Sequence, residues 1–159
     1  MPRIIPNLWF DTQGKEAAEF YCSVFPNSRI TRVTHYGESG PRPPGTVLTV
    51  DFELDGQRYT AINGGPEFTF DEAISFLIEC ADQEEADRYW DRLTADGGEE
   101  GNCGWLKDKY GVSWQVVPQG LDELIFAADP ARADRAMRAM MTMRRLDLAT
   151  VEAAADGGT

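Results

Sequence analysis

Basic side chains are scarce in this chain of 159 residues: fifteen Lys and Arg stand against 27 Asp and Glu, a net charge of −12. A surface of that sign repels phosphate backbones and anionic headgroups, so neither a nucleic acid nor a membrane is an expected partner. Long hydrophobic runs are missing as well. No stretch approaches the roughly eighteen apolar residues of a spanning helix, and the first ten residues hold one Arg and two Pro with no small-residue cleavage site. Neither a spanning helix nor a secretory leader is expected. Cysteine is sparse: Cys22, Cys80 and Cys103 are scattered, without a CxxC pair, and their odd number fits reduced thiols in a cytoplasmic protein. His35 is the one histidine, which leaves little material for a metal centre. Present is a 42% hydrophobic chain of about one domain's length, enough to bury a core.

The order of elements is readable from periodicity. Ile4 to Phe10 reads as a strand, and Asp11 and Thr12 offer caps for a helix reaching about Phe25. Ala17, Phe20, Tyr21 and Val24 fall at i, i+3, i+4 and i+7 of that helix, one face of a 3.6-residue period. Strands are expected over 29–36, 46–54 and 57–63. The Pro- and Gly-rich segment 37–45 is a loop, and Asp55-Gly56 is a two-residue hairpin signal. The order then starts again. Ile74 to Cys80 reads as a strand, and Asp82 with Glu85 resembles a capping box for a helix to about Ala95. Ala86, Tyr89, Trp90 and Leu93 repeat the size classes of the first helix face at a constant offset, an internal repeat. A hairpin over Trp105 to Asp108 and Val112 to Val117, turning at Tyr110-Gly111, closes the second unit.

Asp129-Pro130 then opens a helix carrying Ala133, Met137, Met140 and Met141 on one side, read as core or dimer packing. A shorter helix spans Leu148 to Ala155. The expected organisation is one compact domain of three parts: a βαβββ module over 1–65, a second over 66–120, and a helical extension over 121–159. The class is α+β, with the two modules forming a curved sheet around a cleft.

Alternation along the strands nominates residues for that cleft. Phe76, Ile78 and Cys80 suit the helix side, leaving Ser75, Leu77 and Glu79 outward. Val112, Trp114 and Val116 are core, leaving Ser113, Gln115 and Val117. Asn7 and Trp9 oppose Leu8 and Phe10, and Tyr59, Ala61 and Asn63 oppose Ile62. The candidate lining is therefore Asn7, Trp9, Tyr59, Asn63, Ser75, Leu77, Trp105 and Gln115. It suits a small-molecule ligand between indole walls, oriented by neutral polar groups. Glu79 is the one carboxylate placed there, and so the candidate general base. Cys103 lacks a placed base and reads as a packed thiol. The acidic runs 82–87 and 99–100 read as solvated faces.

Trp9-Phe10-Asp11 leading to Glu19-Phe20-Tyr21, the stretch from Cys103-Gly104-Trp105 through Gly111-Val112-Ser113-Trp114-Gln115 to Pro118, and Asn63-Gly64-Gly65-Pro66 together resemble the vicinal oxygen chelate superfamily. Within it they resemble the PhnB-like branch often labelled 3-demethylubiquinone-9 3-methyltransferase. The Met-rich helix followed by Leu146-Asp147-Leu148-Ala149 is similar to that branch too. The resemblance implies a homodimer, and in metal-dependent glyoxalase and dioxygenase members it implies ligands on the first, fourth, fifth and eighth strands. The matching positions here are Ile5 or Asn7, Ala61, Ser75 and Gln115, a set without His or Glu that is poor for a divalent metal. No metal and no cofactor are therefore expected. The methyltransferase label implies a Gly-rich loop after a first strand, which this chain lacks. The favoured expectation is a metal-free binding protein similar to bleomycin-resistance members. A metal-dependent glyoxalase- or dioxygenase-type enzyme, with a set such as His35 and Glu79, is the alternative, and methyl transfer ranks below both.

Overall fold

A computed structural model describes residues 1–158; Thr159, the last residue of the expected extension, lies outside them. The chain divides into two compact units, Met1–Phe70 and Asp71 onward. The first unit runs past the Gly64-Gly65 turn because the aromatic residues that follow pack back onto its first strand. Phe68 meets Trp9 edge-on at 5.0 Å and Phe70 meets Phe10 at 5.2 Å.

The first unit contains β1 (Asn7–Phe10), α1 (Gly14–Val24), β2 (Arg29–His35), β3 (Val47–Leu54) and β4 (Gln57–Asn63). Its sheet has the order β1-β4-β3-β2, with β1 parallel to β4 and the other pairs antiparallel. The β3–β4 hairpin turns at Asp55 (φ 47°) and Gly56 (φ 88°). Two successive positive φ angles match the right-handed twist of the strands they join, which is why Asp-Gly is favoured there. α1 lays Ala17, Ala18 and Tyr21 on one sheet face, where Tyr21 stacks on Phe52 and Phe52 on Tyr59.

The expected Asp11 or Thr12 cap does not form. Gln13 precedes α1 without a side-chain cap, and Asn63 of β4 supplies the acceptor instead, its Oδ1 taking the Gly14 N–H at 2.7 Å. Asn63 Nδ2 donates to the carbonyls of Thr12 and Val47, and its own carbonyl accepts from the Tyr36 hydroxyl. This residue is 6% exposed, so its satisfied amide is a condition of the fold.

The second unit repeats the path with β5 (Phe76–Cys80), α2 (Gln83–Thr94), β6 (Glu99–Glu100), β7 (Trp105–Lys107) and β8 (Ser113–Pro118). The order is β5-β8-β7-β6, with β5 parallel to β8. Each module is therefore βαβββ, and the class is α+β. Glu99-Glu100 is exposed, as expected of a solvated run, and also forms the edge strand of this sheet. Being only two residues long and charged, it carries no hydrophobic alternation to announce it. α2 is capped locally, Asp82 accepting from the Glu85 N–H at 2.8 Å, and buries Ala86, Tyr89, Trp90 and Leu93.

Asp108 organises the β7–β8 turn. It is 2% exposed and accepts from the backbone N–H groups of Tyr110 and Val112 and from the Trp114 indole. Three donors compensate the desolvation of a buried carboxylate.

Beyond the second sheet come α3 (Leu121–Ile125), α4 (Pro130–Met141) and α5 (Leu148–Ala155). They share a small core of Leu121, Leu124, Ala136, Leu146, Val151 and Ala155. The expected Met stripe is rotated relative to this core: Ala136 is the buried residue of α4, Met140 and Met143 pack against the core, and Met141 is 62% exposed. The segment between α4 and α5 straps the loop before β7, Cys103 N–H and Gly104 N–H donating to the carbonyls of Met143 and Arg144. At Gly104 (φ +84°) a Cβ would stand 2.7 Å from Leu146, so both the backbone conformation and the close approach call for glycine. Gln83 completes the strap, donating to the Leu146 carbonyl and accepting from the Leu148 N–H.

Candidate functional site

In each unit one sheet face is packed against a helix, and strand register decides which residues lie on the other. In the second unit the helix face carries Phe76, Ile78, Cys80, Leu106, Trp114 and Val116, residues that pair across the strands. Its opposite, open face carries Leu77, Gln115 and Trp105 in one cross-strand row and Lys107 beside Ser113 in another. Ser75, just before β5, joins this face because Gln115 Nε2 donates to its Oγ at 2.9 Å. Ser75, Leu77, Trp105 and Gln115 are thus together on one surface, and Leu77 is 51% exposed.

Ser113, which alternation leaves on this face but which is not part of the expected lining, is brought forward by the structure. It is 2% exposed, and its Oγ is the one buried side-chain N or O among the described residues with no hydrogen-bond partner. It lines a cavity of about 200 Å³ with Trp105, Lys107, Glu72 and Glu99. Lys107 is paired with Glu72. Glu72 is held below its ordinary pKa by that hydrogen bond, and Lys107 is held above its own by the same bond and by the charges of Glu72, Glu99 and Asp71.

Glu79 is exposed at the far end of β5. It lines a different cavity, of about 440 Å³, with Glu85, Asp122 and Glu123. There it stands among like charges. Cys80 beside it is buried on the helix face, and burial, with the charge of Glu85, pushes its thiol up to about 12. It stays protonated at neutral pH.

In the first unit the open face carries Asn7 and Trp9 of β1, Thr60 and Ile62 of β4, and Asp51 and Thr49 of β3. Asn7 and Trp9 lie where alternation puts them. The Asn7 amide turns back to the Ile5 carbonyl, and the Trp9 indole donates to the Gly65 carbonyl at 2.9 Å. Tyr59, Ala61 and Asn63 do not join them. Register places all three on the α1 face, where Ala61 is 1% exposed, Tyr59 stacks on Phe52, and Asn63 caps α1. The expectation takes Ile62 as the inward residue of β4, whereas register pairs Ile62 with Trp9 and Thr49 on the open face, and the polarity of Asn63 serves a buried helix start. Residues missed on the open face are Asp51, which accepts from Thr60 at 2.6 Å, and Thr34 and Thr49, whose hydroxyls are 2.5 Å apart. The alternation of Thr49, Asp51 and Glu53 with Val50, Phe52 and Leu54 was the available signal.

These residues do not fit a divalent metal. Of the four positions matched to metal-dependent relatives, Ala61 is an apolar residue on the helix face, and Ser75 and Gln115 are engaged with each other. Among the described residues, no three His, Cys, Asp or Glu side chains converge to hold an ion. Also among them, no helix is long and apolar enough to cross a membrane.

Comparison with known proteins gives this geometry a context. The family model described as 3-demethylubiquinone-9 3-methyltransferase matches residues 2–117, so α3, α4 and α5 lie beyond the matched part. A PhnB protein from Bacillus cereus, described as a 3-demethylubiquinone-9 3-methyltransferase, is 35% identical with a TM-score of 0.67, the match covering 74% of this chain and 99% of that one. Protein PA1353 from Pseudomonas aeruginosa shares the fold at 19% identity and a TM-score of 0.61, over 74% of this chain and 98% of that one. The genomically encoded fosfomycin resistance protein FosX from Listeria monocytogenes shares it at 18% identity and 0.53, over 77% and 94%. No curated protein matches the chain.

Proposed function

We propose that this chain, which belongs to the PhnB-like 3-demethylubiquinone-9 3-methyltransferase family of the vicinal oxygen chelate superfamily, binds a small organic molecule on the open face of its second sheet without a metal. The observation that carries this reading is the Ser75–Gln115 hydrogen bond set in an exposed surface between Leu77 and Trp105. Two neutral polar groups flanked by an aliphatic and an indole surface can orient a ligand and desolvate it at once. Methyl transfer, which the family description names, finds no support in these mixed sheets, whose order is not that of a doubly wound parallel fold. On this reading the protein is cytoplasmic, with its three free cysteines reduced, and a homodimer that sedimentation velocity would detect.

The test is a small-molecule screen by ligand-observed NMR on the full chain, repeated with Gln115→Val and Ser75→Ala. Hits that lose roughly fivefold or more in affinity in both variants support the site, since each substitution strands the other's polar group. Hits indifferent to both would remove the site from this face. Stoichiometric metal in protein purified without a tag or chelator would overturn the metal-free part of the reading.

A further inference from the structure

The cavity beside that surface has features the binding reading does not use. Glu99, Lys107 and Ser113 lie in one row across β6, β7 and β8. Ser113 Oγ is buried and unpartnered at this row's inner end, and the cavity of about 200 Å³ that it lines is walled by Trp105 and Glu72. An unmet hydroxyl in a desolvated place is costly unless a group comes to meet it. The charge around it is unbalanced. Lys107 is the one cation in the lining, against the carboxylates of Glu72 and Glu99, with the charge of Asp71 also acting on it. Glu100, the remaining acid of the lining, is turned to the helix side, where it accepts from the Trp90 indole. A ligand anion would have to displace Glu72 from Lys107 and then face Glu99. A ligand cation meets the carboxylate of Glu99, the second oxygen of the Lys107-paired Glu72, the Trp105 indole and the Ser113 hydroxyl, the three kinds of group that stabilise an ammonium.

We propose that the Ser113–Trp105–Glu99–Glu72 cavity is a subsite for a primary alkylammonium group, so that the molecule bound on the open face carries a positively charged amine. The volume of about 200 Å³ takes an amine and several methylenes. The proposal rests on the binding function assigned above and adds the chemical class of one end of the ligand.

The experiment is a titration of the full chain followed through its backbone and indole N–H signals. The probes are n-butylammonium chloride and, as its mirror in charge, sodium butyrate, at physiological ionic strength so that diffuse attraction to an acidic surface is screened. Butylammonium is expected to give saturable shifts at the Trp105 indole and the Ser113 amide. Affinity should fall roughly fivefold in Ser113→Ala, which loses the acceptor, and comparably in Glu99→Gln, which removes a carboxylate charge at an exposed position. Butyrate saturating the same signals while butylammonium does not would overturn the proposal in favour of an anion at Lys107. So would a linear drift with both probes, which means that water alone meets the hydroxyl, or saturation unaffected by either variant. Shifts confined to Ser75 and Gln115 would overturn the ammonium subsite while leaving binding on the open face intact. Screening hits that fail at Gln115→Val while butylammonium does not saturate would separate the two readings, keeping binding on the open face and removing the ammonium subsite.

Discussion

Each unit holds one deeply buried polar residue that gathers several hydrogen bonds, and the two work at different ranges. In the first it is Asn63, which reaches from β4 to the start of α1, 49 residues away in sequence. In the second it is Asp108, which accepts from residues two, four and six positions further on. The helices follow the same division. α1 depends on a distant amide for its first N–H, while α2 is capped from its own sequence by Asp82. One topology can thus be fastened by tertiary contacts in one copy and by local ones in the other, and the two should respond differently to mutation.

The largest effect is expected at Asp108. Asp108→Ala strands two backbone donors and an indole in a buried turn, a loss of roughly 3–5 kcal/mol measured as the shift of the urea unfolding midpoint. A loss under about 1 kcal/mol would mean that the turn re-forms around water. Asn63→Ala should cost about 2 kcal/mol, because the Gly14 N–H and the Thr12 and Val47 carbonyls lose one shared partner. Asn63→Asp sharpens the comparison. It keeps the acceptor for Gly14 but turns a carboxylate oxygen toward two carbonyls, so it should be no better than alanine.

Local caps come next. Asp82→Ala and Asp147→Ala should each cost about 1 kcal/mol. Asp147 adds a pH signature. The Thr150 N–H holds its carboxyl below the ordinary value, so its contribution is complete above the unfolded-state pKa and is lost as pH falls through the lower folded value. Urea midpoints between neutral and strongly acidic pH should fall less steeply in Asp147→Ala than in the parent. Equal slopes would show that the cap hydrogen bond is not maintained in solution.

The division between local and distant fastening also explains what could be read from the chain. Asp82 with Glu85, the Asp55-Gly56 hairpin and the α5 boundaries are short-range signals, and all are where the sequence places them. Asn63 is a distant signal. Nothing in its neighbourhood distinguishes a residue facing a ligand from one that caps a helix across the sheet, so alternation assigned it, with Tyr59, to the wrong face. β6 escaped because two glutamates carry no period. In the second unit the open face was legible through Ser75, Leu77 and Gln115, since Phe76, Ile78 and Cys80 fix the helix side without ambiguity. The isolation of the Ser113 hydroxyl was not legible, because it depends on what Lys107 and Trp105 do across the sheet.

That hydroxyl gives the smallest effect and the one whose sign decides most. On the first unit's open face the side-chain hydroxyls are partnered: Thr34 with Thr49, and Thr60 with Asp51. Removing one of a pair, as in Thr34→Ala, leaves both the hydroxyl and the backbone N–H of Thr49 without this partner and should cost about 1 kcal/mol. Ser113 has no partner to strand. Ser113→Ala removes a desolvated group and nearly isosterically leaves a methyl in the same place, so it should raise stability by about 0.5–1 kcal/mol in the ligand-free protein. Thermal unfolding of the two variants side by side should move in opposite directions. A native fold in which Ser113→Ala is destabilised would mean that the hydroxyl has a partner in solution, and that the two open faces are equally satisfied. A stabilised variant would instead mark Ser113 as a residue retained at a cost to folding, which is the pattern expected where a group is kept for what it binds.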